Sequence, residues 1–103
     1  MIEVHILIPL TDNAGRAFDE AHHDAFATEL TRLFGGCSLL PGLVAGRWMD
    51  AGQMYSDQNR VYAVFVPGLL EGAPKVTAAV ALAKTHYAQL KVSVRYLGHA
   101  EIL

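Results

Sequence analysis

Cys37 is the only cysteine, which excludes an internal disulfide and a cysteine-based zinc site. A basic excess is also missing: 8 Lys and Arg stand against 10 Asp and Glu, for a formal charge of −2. Phosphate neutralisation supplies most nucleic-acid affinity, so no nucleic-acid partner is expected. Charged residues make up only 17% of the chain, against roughly 25% in an average soluble protein. Apolar runs nonetheless stay far short of the roughly 20 residues of a membrane helix, so no membrane span is expected. No stretch reads as a secretory leader. A reducing cytoplasm is the expected setting.

What is present is apolar material: 52% of 103 residues, enough for one core and one domain over 1–103. Glu3-Val4-His5-Ile6-Leu7-Ile8 has strand length and stops at Pro9, which cannot donate to a ladder. Thr11-Asp12-Asn13-Ala14-Gly15 has turn chemistry. Phe18, Ala21, Ala25, Phe26, Leu30 and Leu33 then recur at helical spacing, and Gly35-Gly36 supplies a C-cap. A second strand is expected over Leu43 to Met49, followed by a long connection from Asp50 to Asn59. Met54 and Tyr55 in that connection suggest a lid over a pocket or an arm around a partner. Arg60-Val61-Tyr62-Ala63-Val64-Phe65-Val66 is the clearest strand. A second helix is expected from near Pro74, burying Val76, Ala79, Val80, Ala83, Tyr87 and Leu90. Val92 to Leu97 forms the last strand, with a continuation through Glu101, Ile102 and Leu103.

The order strand, helix, strand, strand, helix, strand predicts an α+β, ferredoxin-like βαββαβ fold. It has a four-stranded antiparallel sheet with two helices on one face. The first and third strands, the most apolar, take the centre of such a sheet. Both carry apolar residues at consecutive positions, so the face away from the helices also needs cover. A homo-oligomer, most simply a dimer packed sheet on sheet, supplies it. If Val61, Ala63 and Phe65 point to the helices, Arg60 and Tyr62 lie on that second face. Arg47, Arg95 and His5 join them under the corresponding alternation.

Arginine's planar fork suits carboxylate or phosphate. His5, Arg47, Arg60, Tyr62 and Arg95 are therefore the candidate binding residues for a small anionic or aromatic molecule. Ion pairing across a subunit interface, with Glu3, Asp50, Asp57 or Glu101, is the competing reading. Functionally the alternatives are a small-molecule binder or cofactor-free enzyme, and a non-enzymatic interaction or accessory protein. No catalytic residue is assigned, although His5, His86 or His99 would suit a base near neutrality. His22 and His23, sequence neighbours about 100° apart on a helix, do not grip one metal together. They are placed on the helix surface. Cys37 has no local group to activate it and reads as a small packing residue. Glycine-rich phosphate cradles are absent, so no nucleotide cofactor is expected, and no metal is expected either.

Phe34-Gly35-Gly36-Cys37-Ser38, Gly46-Arg47-Trp48-Met49-Asp50 with Gly52, Arg60-Val61-Tyr62 and Gln89-Leu90-Lys91-Val92 carry a resemblance. They are similar to a group of small bacterial ferredoxin-like proteins classed as a domain of unknown function. That group has an aromatic-Gly-Gly stretch, a Gly-x-Trp and a Gln-x-x-Val at these places. The resemblance implies the fold and a packing role for Gly46, Trp48 and Gln89, and carries over no catalytic residue. Tyr87-Ala88 stands where many of that group have Phe-Gly.

Overall fold

A computed structural model of the chain describes residues 1–99, the last by its backbone alone. The expected continuation through Glu101–Leu103 therefore lies outside the described residues. In chain order the elements are β1 (Ile2–Pro9), α1 (Glu20–Phe34), β2 (Ser38–Leu39), β3 (Val44–Asp50), β4 (Gln53–Val66), α2 (Leu69–His86) and β5 (Ser93–His99). The sheet runs β2-β4-β1-β5, with β3 also on β4, and every pairing is antiparallel. This is the expected α+β order with five strands instead of four. Pro41-Gly42 interrupts what would be one second strand and leaves the short β2 and the longer β3.

Even-numbered residues of β1 and β4 face the helices. Val4, Ile6 and Ile8 join Tyr62, Val64 and Val66 in one core with Phe26 and Leu30 of α1 and Val76, Ala79 and Ala83 of α2. Each valine, isoleucine, leucine or phenylalanine so buried contributes about 1.5–3 kcal/mol relative to exposure. The β4 alternation is thus opposite to the expected one: Arg60 and Tyr62 point to the helices, and Val61, Ala63 and Phe65 point away. Directly paired residues share a face, and Ile6 pairs with Tyr62, which fixes this phase. The face away from the helices is still apolar, since Leu7, Val61 and Ala63 are buried there.

Asp19 caps α1, its carboxylate accepting from the His22 amide at 2.8 Å, and Gly35 closes the helix in the left-handed conformation (φ 80°). The buried positions of α1 are His23, Phe26 and Leu30, whereas Ala21 and Ala25 are exposed. Helix α2 starts at Leu69, one turn before the expected Pro74, which lies inside it. Gly68 opens the helix, and Pro74 forfeits a single amide bond near the start. A Cβ on Gly72 would lie 2.6–2.8 Å from side-chain carbons of Val66, so glycine sets how closely α2 approaches β4. Leu90, expected on the buried stripe, is exposed beyond the helix end.

The expected long connection from Asp50 to Asn59 is a strand. Asp50 pairs with Gln53, and the turn is Ala51-Gly52 alone, both at positive φ (50° and 79°). Such a turn matches the twist of a hairpin. Its polar stretch is held by β3's backbone and by cross-strand pairs, including Trp48 stacked on Tyr55 at 4.6 Å. Gln89 donates to the Tyr87 carbonyl at 3.1 Å and so ties down the chain after α2. Ala88 beside it has φ 52°, a conformation glycine adopts more readily.

Candidate functional site

Arg60 sits where β4 passes from the hairpin into the sheet, under the first turn of α1. Its side chain is 15% exposed. Nη1 donates to the Tyr62 hydroxyl at 3.2 Å and Nη2 to Glu20 Oε1 at 3.2 Å. Nε is buried and has no hydrogen-bond partner among the described residues. Unpaired buried donors are uncommon and costly, about 1–3 kcal/mol each. Burial opposes the charge of Arg60, but Tyr62 and Glu20 outweigh it and hold the guanidinium above its ordinary range. Tyr62 packs edge-on against Phe26. Burial pushes its hydroxyl up despite Arg60, so it stays a neutral partner.

Beside Arg60 lies an open cavity of about 410 Å³ walled by Leu39, Leu40, Pro41, Gly42 and Leu43. The connector between β2 and β3 forms it because Pro41-Gly42 turns the chain away from β4. Apolar walls around one cationic group are the usual make-up of a small-molecule site.

A second polar group lies deeper. The Tyr87 hydroxyl and His23 Nδ1 are hydrogen-bonded at 2.8 Å, both buried. Burial first, then the charge of Arg60, lowers the pKa of His23 and favours the neutral ring. Burial likewise drives the Tyr87 hydroxyl well above the tyrosine range. Next to them, His22 and His86 stack at 3.8 Å. Each donates from Nε2 to the other's backbone carbonyl at 2.6 Å, a reciprocal clamp between α1 and the end of α2. The expected surface placement of His22 and His23 is therefore corrected: His23 is core and His22 is half-buried. His23, Phe26 and Leu30 recur at helical spacing, so the buried stripe of α1 runs through His23 and leaves Ala21 and Ala25 outside it.

The five expected site residues do not converge. Arg60 and Tyr62 are together on the helix face. His5 and Arg95 are cross-strand partners on the opposite face, where His5 Nε2 bonds Glu3. Arg47 pairs with Ser56 on the exposed hairpin. Reversal of the β4 phase parts Arg60 and Tyr62 from His5 and Arg95, whereas Arg47 shares the alternation of Arg60 but lies opposite Ser56, four residues along β4. Glu20 and the Leu39–Leu43 wall were not among the expected residues. One signal was available: Glu20 and His23 are three apart, so both lie on the side of α1 that faces Arg60. Among the described residues no group of three or more His, Cys, Asp or Glu is placed to hold a metal ion. Among them, too, no helix is long and apolar enough to cross a membrane.

No family model and no curated protein matches the chain. Solved structures are similar to it in fold, two of them as follows. One is a phage SAM lyase in complex with S-methyl-5′-thioadenosine, with a TM-score of 0.69 and 12% identity. That match covers 93% of this chain and 79% of the lyase. The other is the divalent cation tolerance protein Cut A1 from Thermus thermophilus, with a TM-score of 0.64 and 19% identity. It covers all of this chain (100%) and 88% of the other. At these identities the likeness is one of fold.

Proposed function

We propose that the protein is a small cytoplasmic homo-oligomer, with a dimer favoured, that binds a small anionic or aromatic molecule beside Arg60. The observation that carries this reading is Arg60, its buried Nε unpaired among the described residues, in the lining of a cavity whose other walls are apolar. Apolar walls offer surface to the body of a ligand, while one arginine fixes its orientation. Exposed apolar residues on the β3–β4 hairpin and on β5, among them Trp48, Met54, Tyr96 and Leu97, support association of copies.

Thermal unfolding in the presence of millimolar carboxylates, phosphates, aromatic acids and S-methyl-5′-thioadenosine tests the binding. A ligand at 100 times its Kd adds about 2.7 kcal/mol, a shift of roughly 10 °C or more in a domain of this size. The shift disappears in a folded Arg60→Ala variant. A screen without a hit, or a hit indifferent to Arg60, overturns the proposal. Light scattering at micromolar concentration tests the oligomer, and a monomer removes that part.

A second reading, a non-enzymatic interaction protein, rests on the hairpin itself. Trp48 and Tyr55 are exposed on one of its faces and Met49 and Met54 on the other. If Met54→Ser with Tyr55→Ser dissolves the assembly while ligand screens stay empty, this reading replaces the first.

A further inference from the structure

We infer that the ligand of the Arg60 site is a monocarboxylate with a compact apolar body, and that it binds by displacing Glu20 from Arg60. The inference rests on the binding role proposed for Arg60.

A guanidinium presents Nε–H and Nη2–H side by side along one edge, and a carboxylate grips such an edge with both oxygens. In this structure Glu20 takes only Nη2, at 3.2 Å, and leaves the buried Nε without a partner among the described residues. The edge is half used. Glu20 is also a loose occupant, with a side chain 75% exposed. An ion pair with so exposed a partner is worth about 0–1 kcal/mol. A ligand that closes both bonds gains what Glu20 gains and satisfies the orphaned donor as well.

Nothing comparable loosens Arg60. Tyr62 holds Nη1 at 3.2 Å, and the Phe26 ring packs edge-on against Tyr62 at 5.5 Å. The Nε–Nη2 edge is thereby held in place without being neutralised. When Glu20 swings into solvent, the site carries one positive charge.

That charge sets the ligand class. Among the described residues, Arg60 is the only charged one lining the cavity, whose other walls are Leu39, Leu40, Pro41, Gly42 and Leu43. A phosphate dianion would bring a second negative charge with no second cation to meet it, close to the carboxylate of Glu20. A carboxylate matches the single charge, and a branched-alkyl or aryl body fits the leucine and proline walls.

The test is calorimetric titration of the full chain with phenylacetate, isovalerate, inorganic phosphate and benzyl alcohol. Wild type, Glu20→Ala, Arg60→Lys and Arg60→Ala are compared, with amide NMR spectra to establish that each is folded. Phenylacetate or isovalerate binds wild type, and Glu20→Ala binds it about two- to fivefold more tightly because the competing carboxylate is gone. Arg60→Lys keeps the charge, loses the two-pronged edge and weakens binding about tenfold or more. Phosphate and benzyl alcohol bind weakly or not at all.

Equal carboxylate affinity in wild type and Glu20→Ala overturns the displacement while leaving the Arg60 site standing. Phosphate binding in preference to both carboxylates, lost in Arg60→Ala, overturns the ligand class and again leaves the site. No binding to wild type or to Glu20→Ala by any anion overturns the inference and the binding role together.

Discussion

Tyr55 and Tyr62 belong to the same strand, β4, and meet opposite fates. Tyr62 is 2% exposed, between β1 and β2, with Phe26 of α1 against its ring. Tyr55 is 37% exposed, with β3 on one side and Trp48 stacked beside it. Extended backbone geometry is common to both halves. The difference lies in neighbours: the second half has strands on both sides and helices above, while the first has one strand and no helix. Arg60 lies at the boundary, where helix cover begins, and so is buried enough to be held but close enough to the surface to be reached.

Truncating the two tyrosines is the strongest way to break this contrast. Tyr62→Ala leaves a core cavity and the Arg60 Nη1 without its partner, and is expected to cost about 3–5 kcal/mol, as for other large core residues. Tyr55→Ala loses a cross-strand pair and is expected to cost below about 1 kcal/mol. Denaturant unfolding of both variants reads the difference. Similar losses would mean that the hairpin is as integral to folding as the core.

Two glycines repeat the contrast on a smaller scale. At Gly72 a new Cβ meets the branched carbons of Val66, which have no room to move; Gly72→Ala is expected to cost about 1–2 kcal/mol even with its gain in helix propensity. At Gly46 the close contact of the new Cβ is the Asp57 carboxylate oxygen, 2.5 Å away at the end of a side chain that can rotate, while Asn59 Nδ2 at 3.7 Å is in ordinary contact. Gly46→Ala is expected to cost under about 1 kcal/mol, chiefly through the Asp57–Asn59 hydrogen bond at 2.9 Å. The same denaturant series measures both.

A third difference concerns charge. His23 is buried under the core half of β4 and its pKa is depressed, by burial first and by Arg60 second. A depressed folded pKa means that the folded protein binds the proton less readily than the unfolded chain. The stability this neutral ring contributes is present above the unfolded value, about 6.5, and is lost as pH falls through the folded value. Calorimetry between pH 7 and 5 should show Tm falling more in wild type than in His23→Gln, which cannot charge. Parallel slopes would place the pH dependence elsewhere.

How much of this was legible follows from the same contrast. The core strands, the Gly35 cap and the order of elements were readable because dense apolar runs and glycine act locally. The phase of β4 was not. With apolar residues at every position from Val61 to Val66, alternation carries no sign, and only pairing with β1 decides which side meets the helices. That one undetermined choice dispersed the expected site: it moved Arg60 and Tyr62 to the helix side and left His5 and Arg95 behind. The hairpin was missed for the opposite reason. Gln53 to Asn59 is polar enough to read as a loop, and Ala51-Gly52 is a weaker turn signal than Asn-Gly.

That weak turn gives the finest test of whether the two halves of β4 are independent. Ala51 holds φ 50°, a left-handed conformation that costs an alanine about 1–2 kcal/mol and an asparagine less. Ala51→Asn should therefore stabilise the hairpin by about 0.5–1 kcal/mol. If β3 and the outer half of β4 open without the core, the gain is local. Amide exchange then slows about two- to fivefold in the hairpin, while the global Tm moves by less than about 1 °C. This is the expected outcome, since that half has neither helix cover nor a second neighbouring strand. A Tm rise of about 3–5 °C, with exchange slowed equally in core and hairpin, would instead mean that the strand unfolds as one unit. The boundary at Arg60 would then separate exposed from buried residues without separating regions that open independently.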